Sequence, residues 1–168
     1  MSDKNYLDTA ILLATKAHAG QKDKAGQPYI LHLMRVALNV KSADARIVAF
    51  LHDIIEDTDY DESALLAAGF PAYIVLAVKT LTKRRGEPYD AFIRRVGHND
   101  LAREVKLADL EDNMDMSRLP RVTEVDEERY RKYLRAHGYL LGATWSAASA
   151  SLSKEQGQFR GGESSPEV

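Results

Sequence analysis

His32, His52 and Asp109 occupy positions where the apolar stripes of their segments call for hydrophobic side chains. His32 falls in phase with Tyr29, Leu33, Val36, Ala37 and Val40, and His52 with Ala45, Val48, Ala49 and Ile55. Asp109 falls in phase with Leu101, Ala102, Val105, Ala108 and Asp112. A charged carboxylate buried without a partner costs several kcal/mol, so each such group calls for a counter-charge or a metal ion. Asp53 adjoins His52, so two imidazoles and two carboxylates from three helices can converge in one mixed nitrogen and oxygen donor set. Such a set suits Mn²⁺, Fe²⁺ or Zn²⁺ better than a soft metal, and convergence from facing helices is how bundles build metal sites. Taken singly, each of these residues reads as a hydrogen-bonded core residue or a cap. Together, in the order His, His-Asp, Asp, they are hard to explain as independent structural choices.

One turn further, Glu56 lies above His52 and Asp57 above Asp53 if the helix continues, because four residues advance an α-helix about 40° beyond a full turn. Two more carboxylates then stand beside the candidate metal set. Six acidic residues and no basic one occupy Asp53 to Glu62. Acids at a helix C-terminus oppose the helix dipole, so the run points to a cation or to proton transfer. The opposite charge follows: Lys79 to Lys106 holds eight Lys or Arg against four acids. That excess is what a phosphorylated small molecule needs, and it equally describes ordinary solvated helix faces.

Helical periodicity positions these groups almost throughout. A first stripe, Leu7, Ala10, Ile11, Ala14 and Ala17, ends near Gly20, and 22–27 reads as a loop. Pro28, Pro71 and Pro88 suit first helical turns, Ser42 and Asn99 suit N-caps, and Thr123 with Asp126 resembles a capping box weakened by Asp in place of Glu. Gly69 closes a brief helix after the acidic turn, and the last helix is expected to end near Leu141. No alternating strand pattern stands between turn signals. The expected fold is an all-α, single-domain helical bundle over 1–142. Beyond Gly142 the composition turns to Ser, Ala and Gly, with Trp145, Leu152 and Phe159 widely spaced, so 143–168 is expected to be a flexible tail.

Composition bounds the function. The chain of 168 residues has a net charge of −2 and a pI near 6.2, which gives no global basic field for nucleic-acid binding. With no cysteine, disulfide scaffolds, thiolate metal sites and cysteine nucleophiles are excluded, in keeping with a reducing, cytoplasmic setting. Neither a signal peptide nor a membrane span is expected. No heptad seam fixes an oligomeric state.

His32, His52-Asp53 and Asp109 resemble the motif of HD-domain metal-dependent phosphohydrolases. The stretches AHAGQKDKAGQPYILH, FLHDIIEDT, TLTKRRGE and VKLADLEDNMD are similar to the hydrolase domain of the RelA/SpoT family, including its small single-domain members, over Tyr6 to Leu141. The resemblance implies an HD-type bundle and Mn²⁺-dependent release of pyrophosphate from the 3′ position of guanosine tetra- and pentaphosphate. It implies metal ligation by His32, His52, Asp53 and Asp109, and handling of water and leaving group by Glu56 and Asp57. It also implies nucleotide contacts at Lys24 and Asn113, a structural role for His18, and no separate synthetase domain. Two departures stand out. Asp23 replaces an arginine expected to stack on the guanine, a loss of about 0.5–2 kcal/mol, or up to roughly thirtyfold in affinity, and its charge is expected to be offset in part by Lys22. Asp112 replaces a histidine and Leu33 a proline, neither expected to touch the metal set. Hydrolysis of another phosphorylated nucleotide, or metal and nucleotide sensing without turnover, stay open beside the first reading.

Overall fold

The computed structural model describes residues 5–142. The tail expected over 143–168, Trp145 included, lies outside them. Among the described residues the chain forms α1 (Tyr6–Ala17), α2 (Ile30–Asn39), α3 (Ala43–Leu51), α4 (Ile54–Asp57), α5 (Glu62–Ala67), α6 (Ala72–Leu81), α7 (Tyr89–Gly97), α8 (Asp100–Met114) and α9 (Glu124–Leu140), with a 3₁₀ turn at Met116–Arg118. No strand occurs among them; a single isolated bridge pairs Lys22 with Pro28 and closes the loop between α1 and α2. The fold is all-α.

Two helices organise the bundle. α3 packs on α1, α2, α6 and α8, and α8 packs on α2, α3, α6, α7 and α9. Each places small and branched residues inward: Ala45, Val48, Ala49 and Leu51 on α3, and Ala102, Val105, Ala108 and Leu110 on α8, all buried in one cluster with Leu33, Val36, Val78 and Ile93. That continuous apolar contact fixes the three segments that carry His32, His52 and Asp109.

Capping follows the sequence. Ser42, Asn99 and Asp61 side chains accept the backbone N–H three residues on. Thr123 and Asp126 form the complete reciprocal box, with Asp126 Oδ2 3.0 Å from the Thr123 N–H, so the shorter acid still reaches. Pro71 and Pro88 differ from expectation: with ψ of 146° and 142° they are N-caps, one residue ahead of the first turn.

The larger difference is at the third helix, which is interrupted at His52-Asp53 before α4 begins at Ile54. The His52 ring donates from Nδ1 to the Ala49 carbonyl at 2.7 Å, drawing that carbonyl out of the regular ladder. A side chain inserted into the ladder is a recognised cause of a helix break. The break falls at the pair of residues that the sequence singles out for chemistry.

Leu33, fully buried beside His32, tests the packing that holds this frame. Leu33→Ala is expected to lose about 2–5 kcal/mol in urea unfolding. A loss below about 1 kcal/mol would contradict a close-packed contact of α2 with the core.

Candidate metal centre and substrate cavity

His32, His52 and Asp109 are 4%, 2% and 5% exposed. One ligand-capable atom from each lies within 4.8 Å of the others. His32 Nε2 is 3.3 Å and His52 Nε2 3.6 Å from Asp109 Oδ1. Asp53 Oδ2 stands 2.9 Å from His52 Nε2 and 3.9 Å from His32 Nε2. The four residues singled out from the sequence are thus brought to one point, at the junction of α2, the α3–α4 break and α8.

The far side of each group is held. His52 Nδ1 carries its hydrogen toward Ala49, so Nε2 faces the carboxylates; it is buried and makes no hydrogen bond, although Asp53 is 2.9 Å away. Two lone pairs at that distance repel unless a cation or a proton lies between them. Asp109 Oδ2 accepts from Lys106 Nζ at 2.7 Å, and its Oδ1 accepts from Asn113 Nδ2 at 2.6 Å. Asp53 Oδ2 accepts from the Tyr29 hydroxyl at 2.5 Å. This orphaned imidazole nitrogen, facing two oxygen donors, fits a divalent metal ion.

The charges answer one another. Burial alone would raise the Asp53 carboxyl, but the His52 imidazole beside it brings it down to about 2. Burial likewise opposes ionisation of Asp109, and Lys106 with the two histidines overcomes it, leaving the carboxyl well below its usual range. Burial disfavours the charged forms of His32 and His52, yet the surrounding carboxylates raise both. Burial also lifts the Tyr29 phenol, and Asp53 adds to the shift, so Tyr29 stays a donor.

His32, Asp53 and Asp109, but not His52, line a cavity of about 620 Å³. Lys22, Lys24, Lys83, Lys106, Arg118, Arg129 and Lys132 line it, with Tyr29, Tyr89, Tyr130 and Tyr133. Lys24 and Asn113, both implied by the resemblance, border the cavity, although the Asn113 amide nitrogen also holds Asp109. Lys24 is lowered by burial and by its neighbours Arg129 and Lys132. Glu56 borders the cavity and accepts the Lys83 N–H at 3.0 Å. Asp57 is exposed and not among the lining residues; burial, Asp53 and Glu56 raise its carboxyl. Buried His18 is 2.8 Å from Gln21 through Nδ1 and packs on Tyr29.

Three local expectations are corrected. Of the basic residues between Lys79 and Lys106, Lys83 and Lys106 border the cavity. Arg95 instead ties Glu87 to the carbonyls of Thr80 and Thr82, and Arg103 reaches the Leu140 carbonyl. Most of the cavity's positive charge comes from the 22–24 loop, where the resemblance marked Lys24, and from Arg118 and α9, where no motif marked it. Second, the charge of Asp23 is offset by Arg118 at 3.1 Å and Arg35 at 3.5 Å rather than by Lys22. Third, Asp112 does touch the metal set: its Oδ2 is 2.7 Å from His32 Nδ1. Tyr29, Lys106 and Asp112 each lie three residues from a singled-out histidine or aspartate on the same helical face, and that spacing was the available signal.

No family model matches the chain. It is 31% identical over 119 residues to the probable guanosine-3′,5′-bis(diphosphate) 3′-pyrophosphohydrolase of Synechocystis, which covers 62% of this chain and 16% of that protein. It is 30% identical over 122 residues to the guanosine-3′,5′-bis(diphosphate) 3′-pyrophosphohydrolase of Aquifex aeolicus, covering 64% and 17%. With the bifunctional (p)ppGpp synthase/hydrolase SpoT of Escherichia coli it shares 36% over 83 residues, covering 46% and 12%. The chain therefore spans about a sixth or less of the length of these relatives. A solved structure described as a metazoan ortholog of SpoT that hydrolyzes ppGpp superposes with a TM-score of 0.68 at 19% identity, covering 94% of this chain and 98% of that one. That likeness shows the fold. In sequence and in fold alike, the chain resembles the RelA/SpoT-type HD hydrolases. No helix among the described residues is long and apolar enough to cross a membrane.

Asp112 supplies a pH test of this charge balance. Burial opposes its charge, but His32 and Arg35 lower its carboxyl from 3.8 to about 2. A carboxyl lowered on folding adds stability above its unfolded value and loses it as pH falls toward the folded one. Metal-free protein is therefore expected to lose thermal stability between about pH 4 and about pH 2, with a shallower fall in Asp112→Asn. Identical acid limbs for the two proteins would contradict this.

Proposed function

We propose that this chain, which has the fold of the RelA/SpoT-type HD hydrolases, is a cytoplasmic Mn²⁺-dependent phosphohydrolase. Its substrate is guanosine 3′,5′-bis(diphosphate), from which it releases pyrophosphate at the 3′ position. The observation that carries the reading is the buried, unpartnered His52 Nε2 facing Asp53 and Asp109, two carboxylates that line a cavity bordered by seven Lys or Arg. His32, His52, Asp53 and Asp109 would hold the ion. A bound divalent ion polarises a phosphoryl oxygen and lowers the pKa of water toward neutrality.

The chain's own residues supply the rest. Lys106 and Asn113 hold Asp109, and Tyr29 holds Asp53, so the oxygen donors are oriented before substrate arrives. Lys24, Lys83, Arg129 and Lys132 bring positive charge to a substrate carrying two diphosphates, and that charge also stabilises the departing pyrophosphate. Hydrolysis requires one proton to leave the attacking water and one to reach the 3′ oxygen. Glu56, which borders the cavity, or its neighbour Asp57 would take the first and relay it toward the 3′ oxygen.

Asp23 favours a second reading, hydrolysis of a different phosphorylated nucleotide. Its carboxylate is engaged by Arg118 and Arg35, so the loop presents no free guanidinium for base stacking at that position.

The first reading is tested with guanosine tetraphosphate and Mn²⁺, comparing wild type and Asp53→Ala. Pyrophosphate and GDP are expected from wild type, with at least a roughly hundredfold loss in Asp53→Ala and full loss on chelation. Unimpaired turnover by Asp53→Ala would rule out the metal assignment. Silence from metal-loaded wild type, with turnover of another nucleotide, would establish the second reading.

A further inference from the structure

Asp112 is 7% exposed, and its carboxylate is fully engaged. Oδ2 lies 2.7 Å from His32 Nδ1, 3.1 Å from Arg118 Nη2 and 3.2 Å from Arg35 Nη2. Oδ1 accepts from Arg35 Nε at 2.5 Å, and the Asp112 carbonyl accepts from Arg118 Nη2 at 2.7 Å. Both guanidiniums reach on to Asp23 Oδ2. Asp23 Oδ1 in turn accepts the N–H groups of Ala25 and Gln27, at 2.9 Å each, in the loop that carries Lys24. One network thus joins α2, α8, the 3₁₀ turn and the loop between α1 and α2.

An ionised carboxylate accepts hydrogen bonds and donates none. With two arginines on Asp112, the partner across from it must supply the hydrogen, so that hydrogen sits on Nδ1 of His32. The other nitrogen, Nε2, then presents its lone pair toward Asp109 Oδ1 at 3.3 Å and Asp53 Oδ2 at 3.9 Å. A ring free to turn, or with its hydrogen on Nε2, could not do so. His52 achieves the same orientation with a backbone carbonyl. His32 is the third residue of α2, and Asp112 is the α8 group that meets its Nδ1.

We propose that Asp112, clamped by Arg35 and Arg118, is the positioning residue of the metal centre: it fixes the ring and tautomer of His32 and so sets the affinity of the site for a divalent ion. It acts through His32 and not on substrate. The inference rests on the reading of His32, His52, Asp53 and Asp109 as the metal set.

The test is isothermal titration of Mn²⁺ into metal-stripped wild type, Asp112→Asn, His32→Ala and the double variant, with helical circular dichroism confirming each fold. Asp112→Asn is expected to weaken Mn²⁺ binding roughly 10–100-fold. In the His32→Ala background the same change should shift affinity by less than about twofold, because its route of action is gone. Asp23→Asn, which strips the same two arginines of a partner without touching His32, is expected to lower Tm while leaving Mn²⁺ affinity within about threefold of wild type. If Asp112→Asn does not fold, Asp112→Glu carries the test: it keeps the charge for both arginines, displaces the carboxylate, and is expected to weaken binding at least about fivefold. Wild-type affinity in the folded Asp112 variant, or equal losses with and without His32, would overturn the inference. Absence of Mn²⁺ binding by wild type would overturn the metal-set reading itself, a failure seen in the first titration alone.

Discussion

Two imidazole nitrogens and two carboxylates turned toward one another in a protein interior form an arrangement that holds only if positive charge lies among them. Every other contact around the centre follows from that requirement. Lys106 holds Asp109 Oδ2 and Asn113 shares its Oδ1, the Tyr29 hydroxyl takes a lone pair from Asp53, and Asp112 and the Ala49 carbonyl take the Nδ1 hydrogens of His32 and His52. What is left facing inward is a set of donors with no donor hydrogen of its own supplied from outside. A divalent ion satisfies all of them at once, whereas protons on the histidines satisfy them pairwise.

The bundle gives this centre its shape. α3 and α8 pack on each other, α3 also on α1, α2 and α6 and α8 also on α2, α6, α7 and α9, so the residues they bring to the centre are held from several sides. The break at His52-Asp53 lets two consecutive residues serve one site, which an unbroken helix would point about 100° apart. It also starts α4 afresh, which brings Glu56 to the cavity wall. The cavity beside the centre is lined by seven Lys or Arg, those of the loop between α1 and α2 and of α9 among them, and by seven Asp or Glu, including Asp53 and Asp109 of the centre itself.

Much of this was legible before any coordinates. His32, His52 and Asp109 declared themselves because they interrupt apolar stripes whose phase is reliable in long helices, and Ser42 and Asn99 because short polar side chains ahead of such stripes have few other uses. The helix break was not legible, since it arises from a ring-to-carbonyl bond inside a segment whose helical pattern continues unbroken. The cavity cations of α9 were not legible either, because Arg129 and Lys132 look like any solvated face until the packing of α9 on α8 turns them inward. Asp112 is the instructive case. Its phase marked it as buried, and a buried acid needs a counter-charge; the partners, Arg35 and Arg118, lie far from it in sequence or in a turn with no periodic signature.

The account stands on a cation at the meeting point of these four residues. Crystals of the protein grown with Mn²⁺ and measured at the manganese absorption edge test it directly. The expected result is one strong anomalous peak within about 2–2.5 Å of His32 Nε2, His52 Nε2 and oxygens of Asp53 and Asp109. Full Mn²⁺ occupancy elsewhere, with this point empty and the two histidines bonded directly to the carboxylates, would contradict it.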